Sequence, residues 1–156
     1  MKYRRITGAA GLAVLASLAF SAAAWSASVE ITTHSKAPFG TYLTNSAGRT
    51  VYMFTGDKND TNACTGPCAK PWPPVLTSGA PKAGSGVEAS ALGTIKNGKA
   101  EQVTYDGKPL YYFVRDKAAD STAGEGINHF GGSWYVLSPS GNGILPDGKP
   151  LASAAG

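Results

Sequence analysis

Few residues in this chain are suited to chemistry, and most of them belong to one motif written twice. "AGRTVYMFTGD" (Ala47 to Asp57) and "DGKPLYYFVRD" (Asp106 to Asp116) share a glycine, a basic residue, a branched apolar residue and then Tyr-x-Phe-x-x-Asp. The motif residues are Tyr52, Phe54 and Asp57, then Tyr111, Phe113 and Asp116. A pair of carboxylates is what glycoside hydrolysis needs, but that chemistry depends on their separation in space, which spacing along the chain leaves open. The sequence contains no Gly-x-Ser-x-Gly elbow, no phosphate loop and no His-Glu-x-x-His pair. No local pattern favours catalysis, and no catalytic residue is assigned.

Two readings of the motif stand side by side. In a strand, residues two apart share a face, so Tyr52 and Phe54 point one way, as do Tyr111 and Phe113. Such aromatics bury a large area, and each following Asp can accept from a Tyr hydroxyl or from loop N–H groups. This architectural reading accounts for every motif position and is preferred. The binding reading places the same residues along a groove between the repeats. Trp72, Tyr112, Trp134 and Tyr135 would then add faces for a small aromatic-stacking ligand such as a sugar, a quinone or a cation.

Cys64 and Cys68, in "CTGPC", are the only cysteines. In an exported chain such a pair is expected to form a disulfide. The turn-prone Thr65-Gly66-Pro67 brings the two within bridging range. A redox dithiol is the alternative, but thioredoxin-type sites have two intervening residues at a helix start. Metal ligands are sparse. "DKNDTN" (Asp57 to Asn62) lacks the Gly and distal Glu of a calcium loop. His129, with Asp116, Asp120 or Glu125, is the one metal candidate, and a loop histidine before Phe130 is more commonly plain polar surface. No cofactor is expected.

The N-terminus indicates where the protein works. Lys2, Arg4 and Arg5 precede an apolar run from about Ile6 to Phe20, and small residues follow it in "SAAAWSA". This is the pattern of a cleaved signal peptide, assigned to residues 1–24. The run is too short for a membrane span, so no integral span is expected after processing. The leader holds three of the fourteen basic residues and no acidic one, which leaves eleven basic against ten acidic residues in the remainder. A near-neutral mature chain lacks the basic patch that nucleic acid or an anionic membrane requires. The expected location is periplasmic or secreted, with a cell-envelope component or a small ligand as partner.

From Trp25 onward about 132 residues remain, enough for one domain rich in Gly, Pro, Ser, Thr and aromatics. That composition predicts a mainly β fold, a compact antiparallel domain of about seven short strands built from two related repeats. A polar segment over 25–38 holds one short strand, Ser28–Thr33. "GTYLTN" and "TVYMFT" read as a hairpin around "SAGR". The clearest hairpin joins "LGTIK" to "AEQVTY" through Asn97-Gly98, a type I′ turn pair. "KPLYYFV" and "SWYVLS" complete the strands. The repeats are placed at about 39–77 and 92–141, within a domain of 39–141, and 142–156 is expected to be a fraying tail. Each repeat runs turn, Tyr-x-Phe-x-x-Asp, loop, Trp and Val-Leu strand. One residue of slack is needed to match Val75-Leu76-Thr77 with Val136-Leu137-Ser138.

"GTYLTNSAGRTVYMFTGD", "CTGPCAKPWPP", "QVTYDGKPLYYFVRD" and "FGGSWYVLSPSG" occur in that order. Together they resemble the bacterial secreted-repeat family of predicted lipoproteins with a Tyr-x-[Phe/Trp/Tyr]-x-x-Asp motif. The resemblance covers roughly Phe39 to Gly141 and implies an exported, paired-repeat protein with no established activity. Many members resemble lipoproteins. This chain has no Cys near the leader's end, so a product free of lipid is expected.

Overall fold

The structure is a computed structural model that describes residues 27–152. The expected signal peptide at 1–24, the first residues of the N-terminal segment and residues 153–156 lie outside the described residues. Ten short strands and two single 3-10 turns make up the fold. They are β1 (Glu30–Lys36), β2 (Gly40–Asn45), β3 (Tyr52–Phe54), β4 (Leu76–Thr77), β5 (Lys82–Ala83), β6 (Leu92–Asn97), β7 (Ala100–Tyr105), β8 (Lys108–Pro109), β9 (Asn128–His129) and β10 (Gly132–Val136). Sequence reading expected about seven. The excess consists of two-residue pairings too short to leave a periodic pattern.

Each half starts as an antiparallel hairpin. β1 pairs β2, and β6 pairs β7 with Asn97 opposite Ala100, so the turn residues are Gly98 and Lys99. Only Gly98 has positive φ, at 61°, which is the type II′ pattern with Gly first, and the type I′ turn expected at Asn97-Gly98 is corrected. Each hairpin then turns a corner. Val51 N–H donates to the Leu43 carbonyl in the first half, and Leu110 N–H donates to the Val103 carbonyl in the second. The expected hairpin of β2 with β3 is thus reduced to this corner. The ladder partner of β2 is β1, and that of β3 is β10.

The halves are joined crosswise. The Trp strand of the second repeat, β10, pairs with β3 of the first, aligning Val136 with Tyr52. The Trp segment of the first repeat pairs with the second repeat's motif, aligning Pro74 with Tyr111. These pairings match Pro74 to Val136 and Val75 to Leu137, so the repeats align from Trp to strand with no slack. The one residue of slack expected from sequence is corrected here. The Val-Leu likeness was misleading because the repeat preserves backbone position, and Pro74 occupies the first Val's place. At the centre, Tyr52 and Tyr111 exchange both main-chain hydrogen bonds, at 2.8 and 3.0 Å.

Two segments do more than expected. β1 extends to Lys36, and its outer edge is covered in parallel by β5 from the inter-repeat connection. The supposed tail packs on the body. Ile144 is buried, its N–H donates to the Val136 carbonyl at 2.8 Å, and Leu151 N–H donates to the Gly143 carbonyl at 2.7 Å.

The core divides by strand face. Tyr52, Phe54, Tyr111 and Phe113 share one cluster with Trp72, Trp134 and both cysteines. Met53 sits in the other, with Ile31, Leu43, Val75, Val103 and Leu137, and Tyr112 packs against it. The period-two expectation for the motif therefore holds on both faces.

Candidate functional site

The motif residues are brought together, and they pair across the repeats. Tyr52 donates its hydroxyl to Asp116 Oδ2 at 2.7 Å, and Tyr111 donates to Asp57 Oδ2 at 2.8 Å. The second oxygen of each carboxylate accepts a loop N–H, from Ala123 at 2.9 Å for Asp116 and from Ala63 at 2.7 Å for Asp57. Gly124 N–H in turn donates to the Tyr52 hydroxyl at 3.2 Å. Both carboxylate contacts considered from sequence, to a Tyr hydroxyl and to loop N–H groups, occur at once. Burial and then the neighbouring carboxylate push both Tyr hydroxyls well above their ordinary pKa.

The aromatics cross in the same way. Phe54 stacks on Trp134 at 4.3 Å, Trp134 on Trp72 at 3.9 Å, and Trp72 on Phe113 at 4.3 Å. Tyr52 and Tyr111 meet the stack edge-on, at 5.4 Å from Trp72 and 5.1 Å from Trp134. Trp72 and Trp134 are 1 % and 0 % exposed. The expected binding surface of Trp72, Tyr112, Trp134 and Tyr135 is therefore corrected. The two tryptophans use their faces on each other and on the phenylalanines, and only Tyr112 and Tyr135 are half-exposed.

Cys64 and Cys68 form a disulfide with their Cα atoms 5.2 Å apart. Both are buried against the stack, at 2 % and 5 % exposure. A buried sulfur is poorly placed for thiol exchange. Thiol counting on folded protein in a glutathione buffer at periplasmic poise should find no free thiol, and free thiols should appear only once the chain is unfolded. Two free thiols in the folded protein would return the pair to a redox role.

His129 lies on exposed β9 with its ring 3.9 Å from that of Phe130. It does not meet its expected partners. Asp116 is held by Tyr52, and His34 is the histidine beside Asp120, at 3.2 Å. Among the described residues no group of three or more His, Cys, Asp or Glu is placed to hold a metal ion.

The two halves differ on the outer face. In the second, the Arg49 guanidinium lies 4.1 Å above the Tyr112 ring, and Asn45 Nδ2 donates to the Tyr112 hydroxyl at 3.1 Å. Asp116 below is buried. At the matching place in the first half, Met53 stands for Tyr112 and Lys108 for Arg49. The match is fixed by the turn glycines, since the Gly48 carbonyl accepts from Asp120 N–H and the Gly107 carbonyl from Asp60 N–H. Here the space is open. A cleft of about 370 Å³ is lined by Met53, Phe54, Asp57, Lys58, Lys108 and Leu151, among others. Asp57 is only half-buried, and burial still pushes its carboxyl up to about 6, against its hydrogen bonds from Ala63 and Tyr111.

Sequence reading missed the cleft, because its walls come from both repeats and from the segment taken for a tail. It also missed Ala63, Ala123 and Gly124, the loop donors that complete the Tyr–Asp pairs. Their signal was present. "DKNDTNAC" and "DKAADSTAG" both run from Asp-Lys to Ala, six and seven residues after the Asp. Glu125, next to this loop, was considered only as a metal ligand. Its Oε2 accepts Val136 N–H at 2.7 Å, while Oε1 is buried without a partner among the described residues.

Burial pushes the Glu125 carboxyl up to about 7. Both Glu125 and Asp57 thus have folded pKa values above their ordinary ones, of 4.5 and 3.8. The stability they contribute is full below their ordinary values, of 3.8 and 4.5, and is lost as pH rises from there through about 6 and 7. Urea midpoints should fall across that window. Glu125→Gln should flatten the upper part of the fall, and an unchanged profile would show that Glu125 does not titrate there.

A small β domain of two interlocked repeats, closed by a crossed Tyr–Asp and Phe–Trp cluster, is the class that fold and site define. The chain belongs to the Lipoprotein_15 family, described as a secreted repeat of unknown function, with one repeat matched at residues 33–76 and a second at 94–138. No curated protein and no solved structure matches the chain. Among the described residues no helix is long and apolar enough to cross a membrane.

Proposed function

We propose that this chain is an exported, non-catalytic β-repeat protein that binds a small ligand at the cell envelope, in the cleft beside Asp57. One observation supports the reading above others. Two halves built alike differ at one matched place, where Arg49 over Tyr112 fills the second half and the first is left open. The cleft has the size and the mixed apolar and polar lining of a small-molecule site. The crossed motif serves as its foundation, because Asp57 and Phe54 hold the repeats together and also reach the cleft wall. The motif acids have their oxygens engaged by internal donors, which argues against their use as catalytic acid and base.

Met53 offers a direct test, since it is the only methionine besides Met1. Its carbon-13-labelled methyl resonance should shift, saturably, with at least one member of a panel of peptidoglycan fragments, quinones and small amphiphiles. A resonance that stays fixed against the whole panel at millimolar concentration would remove the cleft as a binding site.

A further inference from the structure

We infer that the cleft takes a small amphiphile with an anionic head and an apolar body, a straight-chain carboxylate being the simplest example. The inference rests on the proposed binding role and adds the ligand class. It follows from which groups at the cleft still have hydrogen-bonding capacity. Asp57 is an acceptor, but both of its oxygens already receive donors from inside the fold, Ala63 N–H and the Tyr111 hydroxyl. Lys58 also lines the cleft and makes no ion pair among the described residues, so its three donors are uncommitted. Lys108 is held by Asp106 at 3.3 Å, which leaves it two donors. Among the charged groups the open capacity is thus on the donor side, while Asn59 and Asn142 offer neutral amides that accept as well as donate. The charged donors call for an acceptor, with a carboxylate bonded more strongly than a neutral oxygen.

Apart from Thr55, Asn59 and Asn142, the remaining wall is apolar, and it lacks an open aromatic face. Phe54 has one face on Trp134 and is hemmed in by Gly56 and Gly132, so closely that a Cβ at either glycine would lie 2.5 Å from its ring. At 4 % exposure it presents little open surface to the cleft, beside Met53, Pro109 and Leu151. Such a wall suits a flexible aliphatic body better than a flat ring that needs a face to stack on.

The test compares hexanoate and octanoate with the alcohols and the alkylammonium ions of equal length, each titrated against the labelled Met53 methyl at neutral pH. Burial of each methylene should tighten binding about fourfold, or about fifteenfold from hexanoate to octanoate. The carboxylates should bind more tightly than the alcohols, and the ammonium ions most weakly. In the Lys58→Gln, Lys108→Gln double variant the carboxylates should bind no better than the alcohols, with the dependence on chain length kept. Alcohols equal to carboxylates, or ammonium ions tightest of all, would overturn the anionic head while leaving the cleft a binding site. Silence from the whole amphiphile series, with another member of the wider panel shifting Met53, would overturn the amphiphile and spare the binding role. Silence from everything would overturn both.

Discussion

Trp134→Ala is expected to cost about 3–5 kcal/mol, the range for truncating a large buried aromatic. Small domains are stable by only about 5–15 kcal/mol, so this one change removes a large part of the total. Trp134 is the most exacting place for it. Its ring lies between Phe54 of the other repeat and Trp72 of the other repeat, and Tyr111 meets its edge. Truncation opens a void in the middle of a four-ring stack whose outer members come from opposite repeats, and no neighbour is free to collapse into it. Thermal unfolding of the variant should show a large drop in midpoint with a single cooperative transition. Two separate transitions would mean that the repeats are independent units.

Tyr52→Phe should cost about 2–3 kcal/mol, although it removes only one oxygen. That oxygen donates to Asp116 and accepts from Gly124 N–H. Phenylalanine leaves a buried carboxylate short of a donor and a buried N–H without an acceptor. Asp116 is 9 % exposed, so water cannot easily make up the loss. Tyr111→Phe makes the same chemical change in the other half and should cost less, about 1 kcal/mol, because half-buried Asp57 can turn to water in the cleft. Chemical denaturation of the two variants measures this difference. Equal costs would mean that the open cleft does not hydrate Asp57.

The parts of the fold legible in the sequence are those fixed by local pattern. Asn97-Gly98 between alternating strands marks its hairpin, and the two-residue spacing of Tyr52 and Phe54 marks a common face.

 The same period-two reasoning holds for Phe54 and Phe113, which lie in one cluster with both motif tyrosines. Other parts were hidden for physical reasons. β5 is a two-residue parallel contact inside a connection rich in Gly, Ser and Pro, which carries no period. Ile144 and Leu151 stand alone among turn residues, so nothing in the pattern shows that they fold back on the body. The exchange between repeats was the least legible feature. Spacing says that Tyr52 can reach a carboxylate, but it does not say that the carboxylate is Asp116 and not Asp57. The same limit applies to the tryptophans. Aromatic content suits a core stack as well as a groove, and only the packing of Trp72 on Trp134 decides between them.

The central claim is that the repeated motif is a crossed lock between two halves, with the cleft built on one side of it. Double-mutant cycles on folding stability test this most directly. Tyr52→Phe combined with Asp116→Asn should show a coupling of about 1–2 kcal/mol, while Tyr52→Phe combined with Asp57→Asn should be additive within about 0.5 kcal/mol. Coupling of Tyr52 to Asp57, with none to Asp116, would contradict the account, because each motif would then be closed within its own repeat.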